Sequence, residues 1–366
     1  MKQVSRTLEI NVDNQKAYEI RIEQDYSHLP EILQSLGLSN RKFMIISDCT
    51  VGKLYAKQIA DILRPMAKSV HIYLFPAGEK SKNLDTVRDC YEHLIKGSFE
   101  RKDILIALGG GVVGDLTGFV AATYLRGVRF IQLPTSLLAM VDSSIGGKTG
   151  VDFNAYKNMV GAFYQPILVY MNLSVLLSLS TKQYHSGMSE IIKHGLILDQ
   201  NYYHWIKEHV EQIKAKDIPT LAEMIYRSCR IKKHIVEEDP KEAGIRALLN
   251  YGHTIGHSIE KLMDFKLLHG ECVSVGMVSA AYISLKRNYI HTETYDDIKN
   301  TLQAFDLPIT VSGLQENDIF EITRLDKKMD SGQIKFILLK QIGEAVIDTI
   351  ITEEEIRGAI QSVLIH

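Results

Sequence analysis

The sequence predicts an α/β fold with two domains: a mostly parallel sheet with helices in residues 1–179, and a mainly α-helical domain in residues 180–366. In the first half, short apolar runs alternate with helix-like stretches of about ten to fifteen residues, which is typical of βαβ units. In the second half, long segments rich in Glu, Lys, Ile and Leu repeat apolar residues at intervals of three and four. The length of 366 residues also suits two domains.

Six strands are predicted in the first half, with a helix over Leu54–Met66. Two of these strands alternate apolar and polar residues, so we expect them to be half-buried. The other four are short apolar runs. In chain order the predicted strands are Leu8–Val12, Tyr18–Ile22, Lys42–Ser47, Val70–Phe75, Asp103–Leu108 and Arg129–Pro134.

The second half is predicted to be helical up to about residue 288 and to end with a hairpin and a helix. The hairpin strands are Gln333–Leu339 and Ala345–Ile350, and the closing helix is Glu353–Leu364. The main helices are predicted over Lys182–Leu198, Tyr202–Ala215, Ile218–Val236, Ala247–Met263 and Glu271–Asn288.

Composition excludes several classes of protein. With 42 basic and 44 acidic residues the net charge is −2, so we expect neither a nucleic acid nor a membrane surface as partner. The four cysteines have no Cys-x-x-Cys spacing, which indicates reduced thiols. The N-terminus lacks the apolar core of a signal peptide. The apolar segment Ile104–Leu125 contains Asp115 and five glycines, which suits a buried strand and helix better than a membrane span. We therefore expect a cytoplasmic protein.

A glycine motif follows the fifth predicted strand. Gly109, Gly111 and Gly114 have the spacing G-x-G-x-x-G and precede a segment that is predicted to be helical. Such glycines let the backbone approach a pyrophosphate at a helix N-terminus. Tight packing of the strand against the helix explains three glycines nearly as well, and the dinucleotide motif usually opens the first βα unit. The motif favours a nucleotide, in something other than an ordinary Rossmann domain.

The segment 142–150 is predicted to be a glycine-rich loop. Gly146–Thr149 has the form of a P-loop ending, but that motif needs a glycine at the position of Asp142. A surface turn with two solvated charges is one interpretation. Three glycines and three hydroxyl residues in nine positions favour instead a loop shaped around a ligand, with Asp142 and Lys148 as its charged groups.

Histidines and acids suggest a metal site in the second half. His253 and His257 stand one helical turn apart, as metal ligands on a helix often do. A pair of helix histidines, one buried and one solvated, is the alternative. Glu190 lies in an apolar helical pattern and His269 begins another helix-like segment, and a divalent cation would satisfy several such groups at once. Two histidines with one carboxylate form a ligand set of catalytic zinc.

Basic residues accumulate around the same segments. Each alone is a solvated surface charge in the simplest interpretation, but several fall in glycine-rich or apolar surroundings where an unpaired charge is costly. A pocket for a small molecule with several negative charges would explain them. The residues are Arg126, Lys148, Lys157, Lys193, Lys232, Arg246, Lys327 and Lys328.

Taken together and in this order, these segments closely resemble the 3-dehydroquinate synthase family, a branch of the sugar phosphate cyclases. The resemblance extends from Asp48 to about Gly343. Its motifs are Pro76–Lys82, Gly109–Asp115, Tyr124–Gly127, Leu133–Lys148, Lys157–Phe163, Glu190–Lys193, Arg246–His257, Leu268–Glu271 and Asp326–Lys328.

The resemblance implies a lyase of the shikimate pathway that uses NAD and a divalent metal, zinc first and cobalt second. Its substrate would be an anionic sugar-acid phosphate, 3-deoxy-D-arabino-heptulosonate 7-phosphate. The family oxidises one ring hydroxyl with NAD, eliminates phosphate, returns the hydride, opens the ring and closes a carbocycle by aldol addition. NAD is restored in each turnover. The resemblance also implies a homodimer.

The resemblance assigns roles by position. It places Glu190, His253 and His269 on the metal, and thereby separates His257 from His253 as a substrate-side residue. Arg126 and one of Lys327 or Lys328 are expected near the phosphate or carboxylate, and the prediction takes Lys328. The substrate positions are Asp142, Lys148, Asn158, Lys193, Lys232, Arg246, Asn250 and His257. The cofactor positions are Asp48, Glu79, Lys82, Gly110, Gly111, Asp115, Thr135, Ser136 and Lys157, with Lys148 shared between the two sets.

Two other functions are consistent with parts of the pattern. The first is a related enzyme, either another sugar phosphate cyclase or a metal-dependent NAD polyol dehydrogenase. A polyol is neutral, which makes four basic residues excessive: Lys148, Lys193, Lys232 and Arg246. The second is an NAD-binding module without chemistry, against which the complete set of metal-ligand positions argues. Among cyclases, Arg246 and Asn250 favour a substrate with a carboxylate, because guanidinium pairs with carboxylate in a bidentate manner.

Overall fold

The structure is a computed structural model that describes residues 4–154, 156–242, 244–264, 266–329 and 335–365. The chain divides into two compact units. The first comprises Met1–Leu179 and Leu221–Lys233, and the second comprises Ser180–Thr220 and His234–His366. The segment Leu221–Lys233 therefore groups with the first unit, whereas the sequence assigns it to the second domain.

The first unit is built on a seven-stranded sheet and a separate hairpin. In sheet order the strands are β1, β2, β9, β6, β5, β3 and β4, and only the β1–β2 pair is antiparallel. The strands are β1 (Ser5–Val12), β2 (Gln15–Glu23), β3 (Lys42–Asp48), β4 (Ser69–Phe75), β5 (Ile104–Gly109), β6 (Arg129–Pro134), β7 (Lys148–Phe153), β8 (Tyr156–Phe163) and β9 (Leu168–Asn172).

All six strands predicted in this half are present, and the mostly parallel sheet is confirmed. Strands β3, β5 and β6 are mostly apolar and are buried along most of their length, because they lie inside the sheet, where both faces are covered. From β3 the chain passes to β4 on one side and then to β5 on the other. The carboxyl ends of β3 and β5 thus meet where the strand order reverses, and this is where open α/β sheets bind ligands.

Helices connect these strands. The predicted helix Leu54–Met66 begins earlier, at Cys49, because the Asp48 carboxylate caps it by accepting from the N–H groups of Thr50 and Val51. The segment Gly52–Ala56 within it is a π-turn. The helices of this unit are α1 (Leu29–Ser35), α2 (Cys49–Val51), α3 (Lys57–Leu63), α4 (Leu84–Lys96) and α5 (Gly111–Thr123).

The segment 142–150 is not a loop throughout, so that expectation is wrong. Ala139–Ser143 is a π-helical turn, and Lys148 is the first residue of strand β7, which pairs with β8. Of the three glycines, Gly146 and Gly147 lie in the bend before β7 and have φ of +100° and +67°. Only Gly150 is a strand residue: it faces Gly161, and a Cβ on Gly161 would lie 2.3 Å from the Thr149 carbonyl oxygen. A bend with positive φ therefore favours glycine at positions 146 and 147, whereas close approach of two backbones requires it at positions 150 and 161.

The second unit is mainly helical, as predicted, with three short two-stranded sheets in the described part of the whole chain, of which two belong to this unit. Helix α9 (Ile218–Glu238) contributes its middle to the first unit and its ends to the second. The other helices are α6 (Thr181–Leu198), α7 (Gln200–Glu208), α8 (Val210–Lys214), α10 (His253–Leu262), α11 (His269–Lys286), α12 (Thr292–Ala304), α13 (Glu316–Met329) and α14 (Glu353–Gln361). The strands are β10 (Val311–Ser312), β11 (Phe336–Gln341), β12 (Glu344–Asp348) and β13 (Leu364–Ile365).

The predicted helix Ala247–Met263 is broken in two. Ile245–Asn250 is a 3-10 turn, and α10 begins only at His253. The break is at Gly252, whose φ of +80° lies in the left-handed region. A Cβ there would meet the backbone of α11 at 2.8 Å, so the chain turns where only glycine fits. His253 is thereby the first residue of its helix.

In the described residues no helix has the length and apolarity that crossing a membrane requires. The apolar segment 104–125 forms strand β5 and helix α5. All four cysteines are free, and three are buried.

Candidate active site

In the glycine motif at the start of α5, some glycines are required by packing and others leave room for a ligand. A Cβ on Gly109 would lie 2.4 Å from the Val113 side chain, and one on Gly114 would lie 2.8 Å from Gln132, so both are required by packing. A Cβ on Gly110 would meet no atom of the described residues closer than 3.5 Å. Gly110 caps α5 without a side chain, so the first N–H groups of this helix have no side-chain cap. Gly110 and Gly111 are therefore the positions that fit an anionic ligand.

Four predicted site residues meet around one buried ammonium group. The Lys82 side chain is 5% exposed, and its Nζ donates to Asp115 Oδ2 at 2.7 Å and to Asn158 Oδ1 at 2.5 Å. Glu79 Oε1 lies 3.9 Å away. Burial lowers the pKa of Lys82, but the Asp115 and Glu79 carboxylates raise it by more, so the pKa lies above its usual value. Lys82 thus stays charged and joins the helix start, through Asp115, to hairpin β7–β8.

The other predicted cofactor residues lie at the carboxyl ends of parallel strands, with two exceptions. Asp48 ends β3 beside the point where the strand order reverses. Thr135 and Ser136 follow β6, and Ser136 Oγ accepts from Ala139 N at 3.2 Å. Lys148 and Lys157 are the exceptions, since they lie on β7 and β8 of the hairpin.

Asp142 and Lys232 form a second charged pair in this unit. The buried Lys232 Nζ donates to the Asp142 backbone oxygen at 2.6 Å and also pairs with the Asp142 carboxylate. The sequence distance of 90 residues explains why no local pattern could reveal the pair. Lys148, by contrast, is exposed at the start of β7.

Within the first unit, Arg126 lies at the opposite end of α5 from Gly110 and Gly111. It lies in a turn with positive φ after the C-terminal end of α5, whereas Gly110 and Gly111 lie at the N-terminal end. A helix of 13 residues is about 20 Å long, since each residue rises 1.5 Å. Contact of Arg126 with phosphate or carboxylate therefore stays a prediction.

In the second unit, Glu190 is a fully buried carboxylate on α6. Its side chain has 0% exposure, and neither of its oxygens accepts a hydrogen bond from the residues that the structure describes. Lys193, one turn further along α6 and 1% exposed, forms an ion pair with it. A buried carboxylate without hydrogen bonds is energetically costly. Glu190 is therefore suited to bind a cation.

Two imidazoles face Glu190. The Nε2 atoms of His253 and His269 each lie 3.9 Å from Glu190 Oε1. Zinc bonds to His and carboxylate atoms are about 2.0–2.2 Å long, so two ligands of one ion are at most about 4.4 Å apart. Burial and the Lys193 ammonium hold the pKa of His253 well below its usual range, and a neutral imidazole is the form that binds metal. The predicted set of Glu190, His253 and His269 fits one divalent ion.

His257 is also close to this cluster. Ring nitrogens of His253, His257 and His269 lie within 4.8 Å of one another, and His257 is the exposed member. The geometry thus allows the His253–His257 pair that the spacing indicates, as well as the set that the family resemblance implies. The greater exposure of His257 favours a role toward substrate.

The remaining predicted residues lie on the 3-10 turn before α10 and on α13. Arg246 is buried, and its Nη1 donates to the Pro240 carbonyl oxygen at 2.7 Å. Asn250 Nδ2 donates to Glu242 at 3.3 Å. Lys327 and Lys328 fall on α13, but their side chains lie outside the described part of the chain.

Sequence reasoning missed two groups behind the histidines. His253 Nδ1 lies 3.1 Å from the Tyr251 carbonyl oxygen, and His269 Nδ1 lies 3.4 Å from Glu260 Oε2. A backbone carbonyl leaves no signal in a sequence. Glu260 does leave one, because it is an acid on the α10 face that also carries His253 and His257.

Comparison with solved structures identifies the class of protein. The chain superposes on 2-deoxy-scyllo-inosose synthase complexed with carbaglucose-6-phosphate, NAD+ and Co2+, with a TM-score of 0.88 and 27% identity, covering 98% of this chain and 100% of that one. 2-epi-5-epi-valiolone synthase from Streptomyces hygroscopicus has the same fold, with a TM-score of 0.88 and 23% identity over 97% and 99% of the two chains. The fold is that of the sugar phosphate cyclases.

Sequence comparison identifies the family within that class. The N-terminal and C-terminal family models of 3-dehydroquinate synthase match residues 72–186 and 187–329. The chain is 43% identical to 3-dehydroquinate synthase of Acetivibrio thermocellus over 97% of this chain and 99% of that one. It is 43% identical to that of Nitrosospira multiformis over 92% of each. The chain belongs to the 3-dehydroquinate synthase family and is an enzyme of this type.

Proposed function

We propose that the chain converts 3-deoxy-D-arabino-heptulosonate 7-phosphate into 3-dehydroquinate and phosphate, a step of the shikimate pathway toward chorismate and aromatic amino acids. The observation that carries the proposal is the buried Glu190 carboxylate, which two imidazole nitrogens face at 3.9 Å. Membership in the family supports the choice of this reaction over those of other sugar phosphate cyclases.

Two groups that the reaction needs fit residues of the chain. Glu190, His253 and His269 would hold a divalent metal, zinc or cobalt. Gly110 and Gly111 at the start of α5, with Asp48 and Thr135 at neighbouring strand ends, would hold NAD. When bound, NAD accepts a hydride and gives it back, and the metal polarises a substrate hydroxyl.

Basic residues of the chain would bind the substrate's two anionic groups. The guanidinium of Arg246 suits the carboxylate, because its planar fork donates two parallel hydrogen bonds. Lys148 is exposed at the start of β7 and suits the phosphate. The buried Lys193 and Lys232 already pair with Glu190 and Asp142, so each can hold a substrate oxygen without carrying an isolated buried charge.

We assign proton transfer to His257. Oxidation of a hydroxyl to a ketone makes the neighbouring C–H acidic, so the C–O bond to phosphate then breaks with loss of that proton. An imidazole has a usual pKa of about 6.5 and can take up or deliver protons near neutral pH. His257 is exposed and lies beside the metal-ligand cluster, so its ring is accessible to a substrate.

The test uses purified protein with the heptulosonate phosphate, NAD and zinc, and follows phosphate release and 3-dehydroquinate. Glucose 6-phosphate and sedoheptulose 7-phosphate are parallel substrates, and both lack the carboxylate. We expect phosphate from the heptulosonate only. Release from a substrate without a carboxylate, and none from the heptulosonate, would assign the chain to a different cyclase reaction.

We also propose, on the family resemblance alone, that the chain acts as a homodimer in the cytoplasm. Sedimentation equilibrium tests the dimer directly. We expect twice the chain mass of 41.4 kDa. A single-chain mass at the concentrations used for the assay would contradict it.

A further inference from the structure

We propose that Glu260 is a positioning residue that holds the His269 imidazole in the tautomer and orientation that bind metal. This inference rests on the proposed function, because it concerns the same metal site. Glu260 itself is not one of the proposed ligands. It acts through His269, on the side of the ring that faces away from Glu190.

The two nitrogens of His269 face two different carboxylates. Nε2 lies 3.9 Å from Glu190 Oε1, and Nδ1 lies 3.4 Å from Glu260 Oε2. An ionised carboxylate only accepts hydrogen bonds, so Nδ1 facing Glu260 must carry its proton. The lone pair of the neutral ring is then on Nε2, which is the nitrogen that faces Glu190.

Glu260 is placed for this role by its helix. Its exposed fraction is 9%, which is low for a carboxylate, and a buried charge needs a partner. It stands seven residues after His253 on α10, which is two turns along the same helical face. Helix α10 therefore supplies one metal ligand and the support of another, while α11 supplies His269 itself.

The arrangement has a parallel at His253. There Nδ1 lies 3.1 Å from the Tyr251 carbonyl oxygen, and Nε2 again faces Glu190. Each proposed imidazole ligand thus has its Nδ1 against an oxygen acceptor and its Nε2 toward the same carboxylate. An acceptor of this kind fixes the ring and raises its basicity, and its removal typically weakens metal binding about 10- to 100-fold.

The experiment measures metal affinity without substrate. Metal-free wild-type protein and Glu260→Gln are titrated with zinc against a competing chelator, and the cobalt(II) absorption spectrum is recorded for each. Glutamine keeps the size of the side chain but removes its charge. The matched control is Glu316→Gln, which changes a carboxylate that pairs with Arg357 in the same unit. Thermal unfolding of the metal-free proteins shows whether each variant is folded.

We expect Glu260→Gln to bind zinc about 10- to 100-fold more weakly than wild type, with a changed cobalt spectrum, while Glu316→Gln binds as wild type does. Zinc affinity and a cobalt spectrum equal to wild type in folded Glu260→Gln would overturn the inference and leave the proposed function intact. Failure of the wild-type protein to bind zinc or cobalt would overturn both. If Glu260→Gln does not fold, Glu260→Asp is titrated in its place. Weaker zinc binding with a changed cobalt spectrum then supports the inference, and binding and a spectrum equal to wild type overturn it.

Discussion

The backbone of Gly276 on α11 packs directly against the carbonyl oxygen of Gly252: a Cβ on Gly276 would lie only 1.8 Å from that oxygen. Gly252 is the residue before His253, and its positive φ begins helix α10. The position of the first imidazole ligand therefore depends on contact between two backbones, at a place where neither residue can carry a side chain.

We predict that Gly276→Ala lowers the free energy of unfolding by about 3 kcal/mol or more, because backbone atoms cannot yield as a flexible side chain can. The matched control is Gly358→Ala, inside helix α14, where the new Cβ would meet only Tyr282 at 3.6 Å. Alanine there should be neutral or stabilise by up to about 1 kcal/mol, since it favours the helix. Urea unfolding of both variants measures the difference. Equal effects would mean that the α10–α11 contact is not close-packed.

Apolar pattern was sufficient to predict the parallel strands and the main helices, because buried strands and helical faces leave a regular signal. The same pattern did not predict the structural roles of the glycines. The same residue type forms a helix break at Gly252 and a cross-strand contact at Gly161, and only the packing of distant segments distinguishes these from a turn. Among site residues, the individual metal-ligand candidates stood out as histidines and a buried acid. The Asp142–Lys232 pair and the support of His269 by Glu260 depend on tertiary contacts that no local pattern records.

We predict that Lys148→Ala reduces kcat/KM about ten- to a hundredfold without loss of stability. The side chain is exposed, so the fold should tolerate its removal, whereas a charge-assisted hydrogen bond to phosphate contributes about 1.5–3 kcal/mol. Steady-state kinetics and thermal unfolding are measured together, with the exposed Lys53→Ala as control. Kinetics like those of wild type in Lys148→Ala would remove this residue from the site.

His253 and His257, one helical turn apart, should have different roles. We predict that His253→Ala loses stoichiometric zinc and nearly all activity, while His257→Ala keeps its zinc and loses most of its rate. The reason is that positions on the ion must stay open for substrate oxygens, and a third imidazole would occupy one. Elemental analysis of the two purified proteins is the measurement. Equal zinc loss in both would instead support the simple His-x-x-x-His pair.

We expect low pH to destabilise the second unit through protonation of Glu355. Arg287 donates to both Glu355 oxygens, at 2.5 and 2.9 Å. These bonds, together with hydrogen bonds from Thr352, lower the pKa of Glu355 from 4.5 to about 2. Because the pKa of Glu355 is lower in the folded than in the unfolded chain, the ionised carboxylate stabilises the fold above about pH 4.5. This contribution is lost as the pH falls toward 2. We predict that Arg287→Ala lowers the free energy of unfolding at pH 7 by about 1 kcal/mol, allowing for solvent screening.

The difference between wild type and Arg287→Ala should shrink as the pH falls from about 4.5 toward 2, because Glu355 takes up its proton near pH 4.5 in the unfolded chain and only near pH 2 in the folded wild type. Urea unfolding at a series of pH values measures it. The control is Lys57→Ala, which removes an exposed ion pair with Asp61 and should leave stability close to that of wild type at every pH. A difference for Arg287→Ala that stays constant with pH would show that packing of the arginine, and not its charge, stabilises the fold.

In the proposed reaction NAD acts as a catalyst and is not consumed. The most direct measurement supplies the purified enzyme with zinc, excess heptulosonate phosphate and a small, known amount of NAD, and follows phosphate, 3-dehydroquinate and NADH absorbance together. We predict many molecules of phosphate and 3-dehydroquinate per molecule of NAD, in equal amounts, with no steady growth of NADH. One NADH formed per product, with turnover ending when NAD is exhausted, would contradict the claim and mark the chain as a simple dehydrogenase.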